Sequence, residues 1–145
     1  MFIGEYHHNL DDKNRIVIPT KYREILGNEF IITRGIEKCL YVYSLKEWNK
    51  LVSKLETLPF TKKDARTFTR SFFSGATDCS FDKPGRALIS DYLKEYANLE
   101  KECVIIGVNN RLEIWSKDSF EAFMKENSSK LEDIAEHLFE VTDAL

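Results

Sequence analysis

The chain has 145 residues, of which 43% are hydrophobic and 31% charged, a composition typical of one compact α+β domain. No run of 18 apolar residues and no signal peptide pattern is present, so we expect a cytoplasmic protein with no membrane span. The net charge of -3 hides a basic body, because residues 117–145 carry eight acids and three bases, which leaves +2 for residues 1–116. A negative total therefore does not exclude nucleic-acid binding, since exposed charges are screened beyond about 8 Å.

In chain order, the first half predicts strand, polar turn, strand, short helix, strand, turn, strand and longer helix. The polar turn (turn 1) begins at Asp11, ends at Arg15 and leads into an apolar strand. The short helix after it ends at Gly27, a residue type that tolerates the left-handed conformation just past a helix. Two further apolar strands are predicted at 30–33 and 40–43.

A helix and a basic connector follow these strands. Ser44, with Glu47 three residues later, has the capping-box pattern that begins a helix. Residues 56–74 predict a helical connector in which phenylalanines at helical spacing alternate with basic residues. The four basic side chains are Lys62, Lys63, Arg66 and Arg70. We interpret them as a solvated helix face over a packed one.

The same order of elements recurs 71 positions later, which indicates an internal duplication. Asp82 to Arg86 (turn 2) is the counterpart of turn 1, and Asn98 takes the place of Gly27. One repeat alone is too small to bury a stable core, so we expect both to share one compact domain. The predicted division is repeat 1 at 5–55, the connector at 56–74, repeat 2 at 75–127 and a C-terminal amphipathic helix at 128–145.

The C-terminal segment places Leu131, Ile134 and Leu138 on one face of a predicted helix, with acidic residues on the opposite face. Such a helix docks on its own core or on a neighbouring subunit. Its negative charge makes it a poor contact for DNA.

Signals for catalysis or metal binding are weak. Cys39, Cys79 and Cys103 are odd in number and widely spaced, which predicts buried or half-buried structural thiols. His7 and His8 alternate along a strand and have no converging partners that would bind a metal. The common nucleophile, phosphate-loop and metalloprotease motifs are absent. We therefore expect no cofactor, no metal and no enzymatic activity.

Several motifs carry a resemblance to a known family. They are the N-terminal Met1-Phe2-x-Gly4-Glu5, the segment 18–23 with sequence IPTKYR, and the paired D-x-x-x-R turns at 11–15 and 82–86. Together with the ending 112–115, LEIW, they resemble the MraZ family, whose members contain two domains of the SpoVT/AbrB type. The resemblance covers almost the whole chain. One departure is Asn14, where the family usually has glycine, but asparagine also tolerates a positive φ.

The resemblance implies a fold, a function and partners. The expected fold is α+β, a duplicated swapped-hairpin β-barrel with pseudo-twofold symmetry and flanking helices. The expected function is transcriptional regulation of the division and cell-wall gene cluster, through sequence-specific binding of direct repeats in its promoter. The expected partners are double-stranded DNA and further copies of the chain in a ring-shaped homo-oligomer, associated with the nucleoid and not with a membrane.

The two turns supply the candidate DNA-binding residues. Arginine is the side chain best shaped for guanine edges in the major groove, and lysine suits phosphates as a point charge. The backbone donors of the residue before each arginine could position the protein on DNA. The candidates are Lys13, Asn14 and Arg15 in turn 1 and Lys83, Gly85 and Arg86 in turn 2. For Asp11 and Asp82 we favour a structural role, an ion pair across each hairpin that fixes the turn.

Two other functional classes stay open at this point. An antitoxin-like DNA-binding module with a protein partner is one, although the C-terminal tail reads as ordered and the domain is doubled. A hydrolase that uses Asp11, Asp82 and the histidines is the other, and it lacks a nucleophile and base at suitable spacing.

Overall fold

The computed structural model describes residues 1–142 of the chain. The first half contains β1 (Glu5–Asn9), β2 (Arg15–Val17), α1 (Thr20–Leu26), β3 (Glu29–Arg34), β4 (Leu40–Ser44), α2 (Leu45–Leu55) and α3 (Lys63–Gly75). The second half contains β5 (Thr77–Ser80), β6 (Arg86–Leu88), α4 (Asp91–Tyr96), β7 (Glu102–Val108), β8 (Arg111–Ser116), α5 (Lys117–Asn127) and α6 (Leu131–Thr142). A three-ten turn (Ser128–Lys130) precedes α6, and positions 143–145 of the predicted C-terminal helix lie outside the described residues.

Six strands form an antiparallel sheet in the order β1-β7-β8-β4-β3-β5. Exchanging every strand for its counterpart in the other repeat reverses this order and leaves it otherwise unchanged, as a pseudo-twofold axis requires. The first strand of each repeat pairs with the other repeat, β1 with β7 and β5 with β3. The mixed α+β class is therefore confirmed.

The closed barrel predicted from the resemblance is not found among residues 1–142. The six-stranded sheet is open and has β1 and β5 at its edges. The reason is that β2 and β6 do not extend the sheet from those edges. They pair with each other in a separate two-stranded ribbon.

Alternation along the strands places buried side chains on both faces of the sheet. On β4, Leu40 and Val42 belong to a cluster shared with the ribbon and with α1 and α4. Tyr41 and Tyr43 point to the opposite face, into a second cluster that includes side chains of α2, α3 and α5. The ribbon and the longer helices thus lie on opposite sides of the sheet. No helix within residues 1–142 is long and apolar enough to cross a membrane.

Backbone conformation repeats with the sequence. Gly27 and Asn98 have φ values of 81° and 53° just past α1 and α4, which confirms the predicted helix ends. Lys38 and Asn109 have φ values of 62° and 61° in the turns before β4 and β8. Both pairs are separated by 71 residues, so the duplication reaches individual torsion angles.

A serine caps the N-terminus of both α2 and α5, and the cap of α2 is simpler than the predicted capping box. Ser44 accepts a hydrogen bond from the backbone N–H of Glu47 at 3.3 Å, and Ser116 accepts one from Ser119 at 3.0 Å. The Glu47 carboxylate lies 3.4 Å from Lys50 Nζ, and no reciprocal bond to Ser44 is present. The first helix therefore begins with a simple serine cap.

Candidate nucleic-acid interface

Turn 1 and turn 2 lie at opposite ends of the β2–β6 ribbon. Arg15 is directly opposite Leu88, and Val17 is directly opposite Arg86. Because the two strands are antiparallel, each turn enters the ribbon from its own end. The ribbon is only three residues long on each strand, so the two turns remain close together.

One face of the ribbon is buried and the other is open to solvent. Ile16 and Ala87 are both 0% exposed and pack on the shared core. The alternate positions point outward, where Val17 and Leu88 are exposed at 38% and 61%. Arg15 and the Arg86 side chain lie on the same outward face, since residues directly opposite each other in a sheet share a face.

The two arginines are equally accessible. Each side chain is 28% exposed. The Arg86 Nη1 atom lies 3.7 Å from the Asp11 carboxylate of the other turn, so charged groups from both repeats meet on this face. The structure therefore brings together the two arginine candidates named from the sequence.

The two turns share four hydrogen bonds, and turn 1 has one more, from the N–H of Lys13 to Asp11 Oδ1 at 2.9 Å, where turn 2 has Pro84. The N–H of Asp11 donates to the carbonyl of Arg15 at 2.9 Å, and the N–H of Asp82 donates to Arg86 at 3.1 Å. Asn14 and Gly85 have φ values of 60° and 85°, and their N–H groups donate to the carbonyls of Asp11 and Asp82. These two donors are used inside the turns, so the expected contact from their N–H groups to DNA is not supported by the geometry.

Each aspartate binds the arginine four residues later through both carboxylate oxygens. Asp11 Oδ1 accepts from the N–H of Arg15 at 2.8 Å, and its Oδ2 accepts from Arg15 Nε at 3.0 Å. Asp82 accepts the equivalent bonds from Arg86, both at 2.7 Å. The bond from the backbone N–H fixes each carboxylate against its turn, and the charge-assisted bond from Nε anchors the guanidinium to that carboxylate.

Hydrogen bonding also lowers the pKa of both carboxyl groups. The bond from the Arg15 N–H is the largest cause at Asp11, whose pKa lies below its ordinary value of 3.8 despite partial desolvation. At Asp82, desolvation alone would raise the pKa, but the backbone and side-chain bonds from Arg86 outweigh it. Both groups are therefore ionised at neutral pH.

Each turn is contacted by a helix of the other repeat. The side-chain amide of Asn14 donates to the carboxylate of Asp91, the first residue of α4, at 2.8 Å. At turn 2 the guanidinium of Arg23 from α1 lies against Gly85, so close that a Cβ atom at Gly85 would be 2.8 Å from Nε and closer still to Cζ. The sequence showed Arg23 only as the last residue of the segment 18–23 and did not predict this contact, because no local pattern shows that β2 pairs with β6.

The lysines of the turns and the basic residues of the connector lie on opposite sides of the sheet. Lys13 and Lys83 are exposed at the tips of the turns. The basic connector lies on α3, whose Phe68 and Phe72 pack on the opposite face of the sheet from the ribbon. Arg66 donates to the carbonyl of Phe60 beside that helix. The connector is therefore not part of the same surface.

The thiols and histidines lie outside the ribbon. Cys39 and Cys103 are buried and Cys79 is half-buried, as predicted. Burial raises the pKa of Cys39 above its ordinary value and raises those of Cys79 and Cys103 to about 11, so all three are protonated at neutral pH. Within residues 1–142, no three His, Cys, Asp or Glu side chains are arranged to hold a metal ion.

Comparison with known sequences decides the family. The family described as "MraZ protein, putative antitoxin-like" matches the chain twice, at residues 1–71 and 72–142. The chain belongs to the MraZ family. The second match begins 71 residues after the first, the same offset that relates the two turns.

A curated relative agrees with this assignment. The chain is 51% identical over 138 residues to a protein named "Transcriptional regulator MraZ" from Caldanaerobacter subterraneus subsp. tengcongensis. The alignment covers 95% of this chain and 96% of the relative. The two proteins therefore match over nearly their full lengths.

Proposed function

We propose that this chain is a sequence-specific DNA-binding transcriptional regulator that reads duplex DNA with the outward face of the β2–β6 ribbon. The observation that carries the proposal is the shared outward face of Arg15 and Arg86, each oriented by its own aspartate. The name of the curated relative, a transcriptional regulator, supports the same class of function.

The ribbon has suitable dimensions for the major groove. That groove is about 12 Å wide and admits either an α-helix or a two-stranded β-ribbon. Arginines on the inserted face can donate two parallel hydrogen bonds to guanine O6 and N7, which discriminates against a wrong base by about 1–3 kcal/mol. Lys13 and Lys83, at the exposed tips, would contact phosphates and carry no sequence information.

The other turn residues support this arrangement indirectly. Asp11 and Asp82 fix the guanidinium groups, and Asn14 and Gly85 provide the positive φ that each turn needs. Their contribution is to hold the turns in shape so that the backbone can approach DNA closely. The proposed function requires neither a cofactor nor a catalytic group.

We extend the proposal to the assembly and its target. The two repeats, 5–55 and 75–127, with the connector at 56–74 and the terminal helix at 128–145, would form one swapped-hairpin unit of the SpoVT/AbrB type. Several such units in a ring would meet direct repeats in the promoter of the division and cell-wall gene cluster, on the nucleoid in the cytoplasm. Tethering several weak modules raises avidity by roughly 10²- to 10⁴-fold.

Support for self-association comes from α6. Leu131, Ile134 and Phe139 are exposed at 60%, 41% and 38%, which gives the helix an apolar surface in the single protomer. A contiguous exposed apolar surface commonly marks a protein interaction site. A neighbouring subunit in the ring would cover this helix.

The decisive experiment is a gel-shift titration with a promoter fragment that carries direct repeats and a scrambled fragment of equal length. We expect Arg15→Ala and Arg86→Ala each to lose at least roughly tenfold in preference for the repeat fragment, since each removes one base-reading side chain. Lys54→Ala, on the exposed face of α2, is the control and should bind as the unaltered chain does. Unchanged preference in both arginine variants, with the oligomer intact by native mass, would refute the proposal.

An antitoxin-like module with a protein partner is the second candidate. It is supported by the words "putative antitoxin-like" in the family description and by the exposed apolar surface of α6. Co-expression with neighbouring genes and affinity purification would test it. A small toxic protein that co-purifies, and is released by Ile134→Glu, would favour this function over a ring that covers α6 with its own subunits.

A further inference from the structure

Arg23 has an unusual environment beside turn 2. Its guanidinium lies so close to Gly85 that a Cβ there would be 2.0 Å from Nη1 and 2.4 Å from Cζ. Its Nη2 donates to Thr20 Oγ1 at 2.6 Å, a bond that fixes the side chain across the first turns of α1. The residue is therefore held against the opposite repeat and does not extend freely into solvent.

The hydrogen bonds of this guanidinium are incomplete. Its Nε is buried and has no partner among the described residues, and no acidic side chain in that part of the chain forms an ion pair with it. Buried donors in native proteins nearly always have a partner. Arg23 thus has no acidic partner within residues 1–142, and the donors that an external acceptor could reach are its Nη groups and not the buried Nε.

The net charge of the outward ribbon face indicates which kind of acceptor the Arg23 guanidinium would bind. Arg15 and Arg86 are each paired with an aspartate, so these four groups contribute no net charge to the outward face. Attraction to DNA must therefore come from other cations near the turns, because phosphate neutralisation supplies most of non-specific affinity. Arg23 is a cation at the end of the ribbon that the fold holds in place and that forms no ion pair within residues 1–142.

We propose that Arg23 binds a phosphate of the DNA backbone beside turn 2, and that Gly85 is required to give it room. A ribbon in the major groove faces base edges with its outward surface and faces sugar–phosphate backbone at its ends. Guanidinium groups match the geometry of a phosphate with two parallel donors. This inference rests on the proposed function, to which it adds a positioning contact that neither the motif nor the family match assigns.

The equivalent position in the other repeat does not have this arrangement. The counterpart of Arg23 is Lys94, and the counterpart of Gly85 is Asn14, whose amide is bound to Asp91. A side chain and an acid thus occupy the place that Arg23 has at turn 2. The phosphate site is therefore specific to one end of the ribbon.

The test is the salt dependence of DNA affinity, measured by fluorescence anisotropy on the repeat fragment and the scrambled fragment. We expect Arg23→Gln to reduce the slope of log K against log salt concentration by about one and to weaken both complexes by a similar factor, roughly 3- to 10-fold. Because the contact reads no base, the preference for the repeat fragment stays unchanged. Arg23→Lys keeps the charge and should recover most of the slope.

Controls separate this inference from the proposed function. Lys54→Gln makes the same change in net charge on the far side of the sheet and should leave the slope as it is. If Arg23→Gln does not fold, Arg23→Met, which keeps the aliphatic part of the side chain without its charge, takes its place in the test. An unchanged slope in a folded Arg23 variant, while Arg15→Ala loses sequence preference, would overturn the role of Arg23 alone. Absence of sequence preference in the unaltered chain would overturn the proposed function, and the slope on scrambled DNA would still test Arg23.

Discussion

Turn 1 and turn 2 close the ribbon at its two ends with the same backbone bonds and the same aspartate–arginine bonds, but the side chains that contact them from the opposite repeat differ in charge. Turn 1 contains two acids and two bases and is bound by Asp91. Turn 2 contains one acid and two bases and lies under Arg23. Duplication has therefore preserved the backbone while the electrostatics of the two ends have diverged.

This difference has a consequence for the DNA sequence that the proposed interface would bind. A protomer with true twofold symmetry would meet a duplex equally well in either direction, which suits a palindrome. A more basic end at turn 2 gives the protomer a direction, and a direct repeat also has a direction. The asymmetry at Asn14 and Gly85 is thus compatible with subunits that all approach the DNA in the same orientation.

Substituting the two aspartates is expected to give the largest difference between the turns, measured as the loss of preference for the repeat fragment. Asp11 Oδ2 lies 3.0 Å from Arg15 Nε and 3.7 Å from Arg86 Nη1, whereas the ion pair of Asp82 in the described part of the chain is with Arg86. Asp11→Asn should therefore weaken the hold on Arg15 and remove the charge that Arg86 Nη1 faces, although Asp82 still binds Arg86, and should reduce the preference for the repeat fragment about tenfold, with a smaller loss in Asp82→Asn. Gel-shift titration on repeat and scrambled fragments measures the ratio.

The sign of the change on scrambled DNA provides an internal check. Removing an acid makes the ribbon more basic, so non-specific affinity should rise slightly in both variants. Equal losses of preference in the two variants would contradict the shared role of Asp11. A fall in affinity on both fragments would instead indicate damage to the fold.

Exchanging Asn14 and Gly85, the residues before the two arginines, should give the next largest difference between the turns, in DNA affinity. Gly85→Asn should displace Arg23 and weaken DNA binding several-fold, while asparagine itself tolerates the φ of 85°. Asn14→Gly removes the exposed bond to Asp91 but lets the backbone adopt the φ of 60° without strain, so it should lower the free energy of unfolding by no more than about 0.5–1.5 kcal/mol, with DNA affinity unchanged within about twofold. Urea denaturation and fluorescence anisotropy measure the two quantities.

These exchanges are controls for each other. Both alter one turn tip, and each introduces the residue that the other repeat already uses. Equal losses of DNA affinity would show that tip shape matters and the position of Arg23 does not.

The sequence predicted the local part of this arrangement and missed the part that depends on strand pairing. Turn 1, turn 2, their aspartate–arginine spacing and the helix ends at Gly27 and Asn98 follow from short-range patterns. The contacts of Arg23 with Gly85 and of Asn14 with Asp91 span 62 and 77 residues, and they exist only because β2 pairs with β6. No periodicity in a single sequence encodes which two three-residue strands pair. The open sheet was missed for the same reason.

The smallest expected difference between the turns is in how each contributes to the loss of folding stability at acid pH. The pKa values of Asp11 and Asp82 are lowered in the folded protein, so the unfolded chain binds more protons in acid and stability must fall as pH decreases through these pKa values. The contribution is fully present above pH 3.8, the ordinary value, and is lost below it. Urea midpoints measured from pH 5 to pH 2 should therefore decline less steeply in the Asp11→Asn, Asp82→Asn double variant than in the unaltered chain.

The single variants divide this effect between the turns. The Asp11 carboxylate accepts from the N–H groups of Lys13 and Arg15 and from Arg15 Nε, whereas within residues 1–142 the Asp82 carboxylate accepts only from the N–H and Nε of Arg86. Desolvation is the largest influence on the pKa of Asp82, whereas the bond from the Arg15 N–H is the largest at Asp11. More donors stabilise the carboxylate at turn 1, so Asp11→Asn should remove the larger share of the acid dependence. If Asp82→Asn removes more, the hydrogen bond from Lys13 contributes little, and the two turns differ only in the residues that contact them from the opposite repeat.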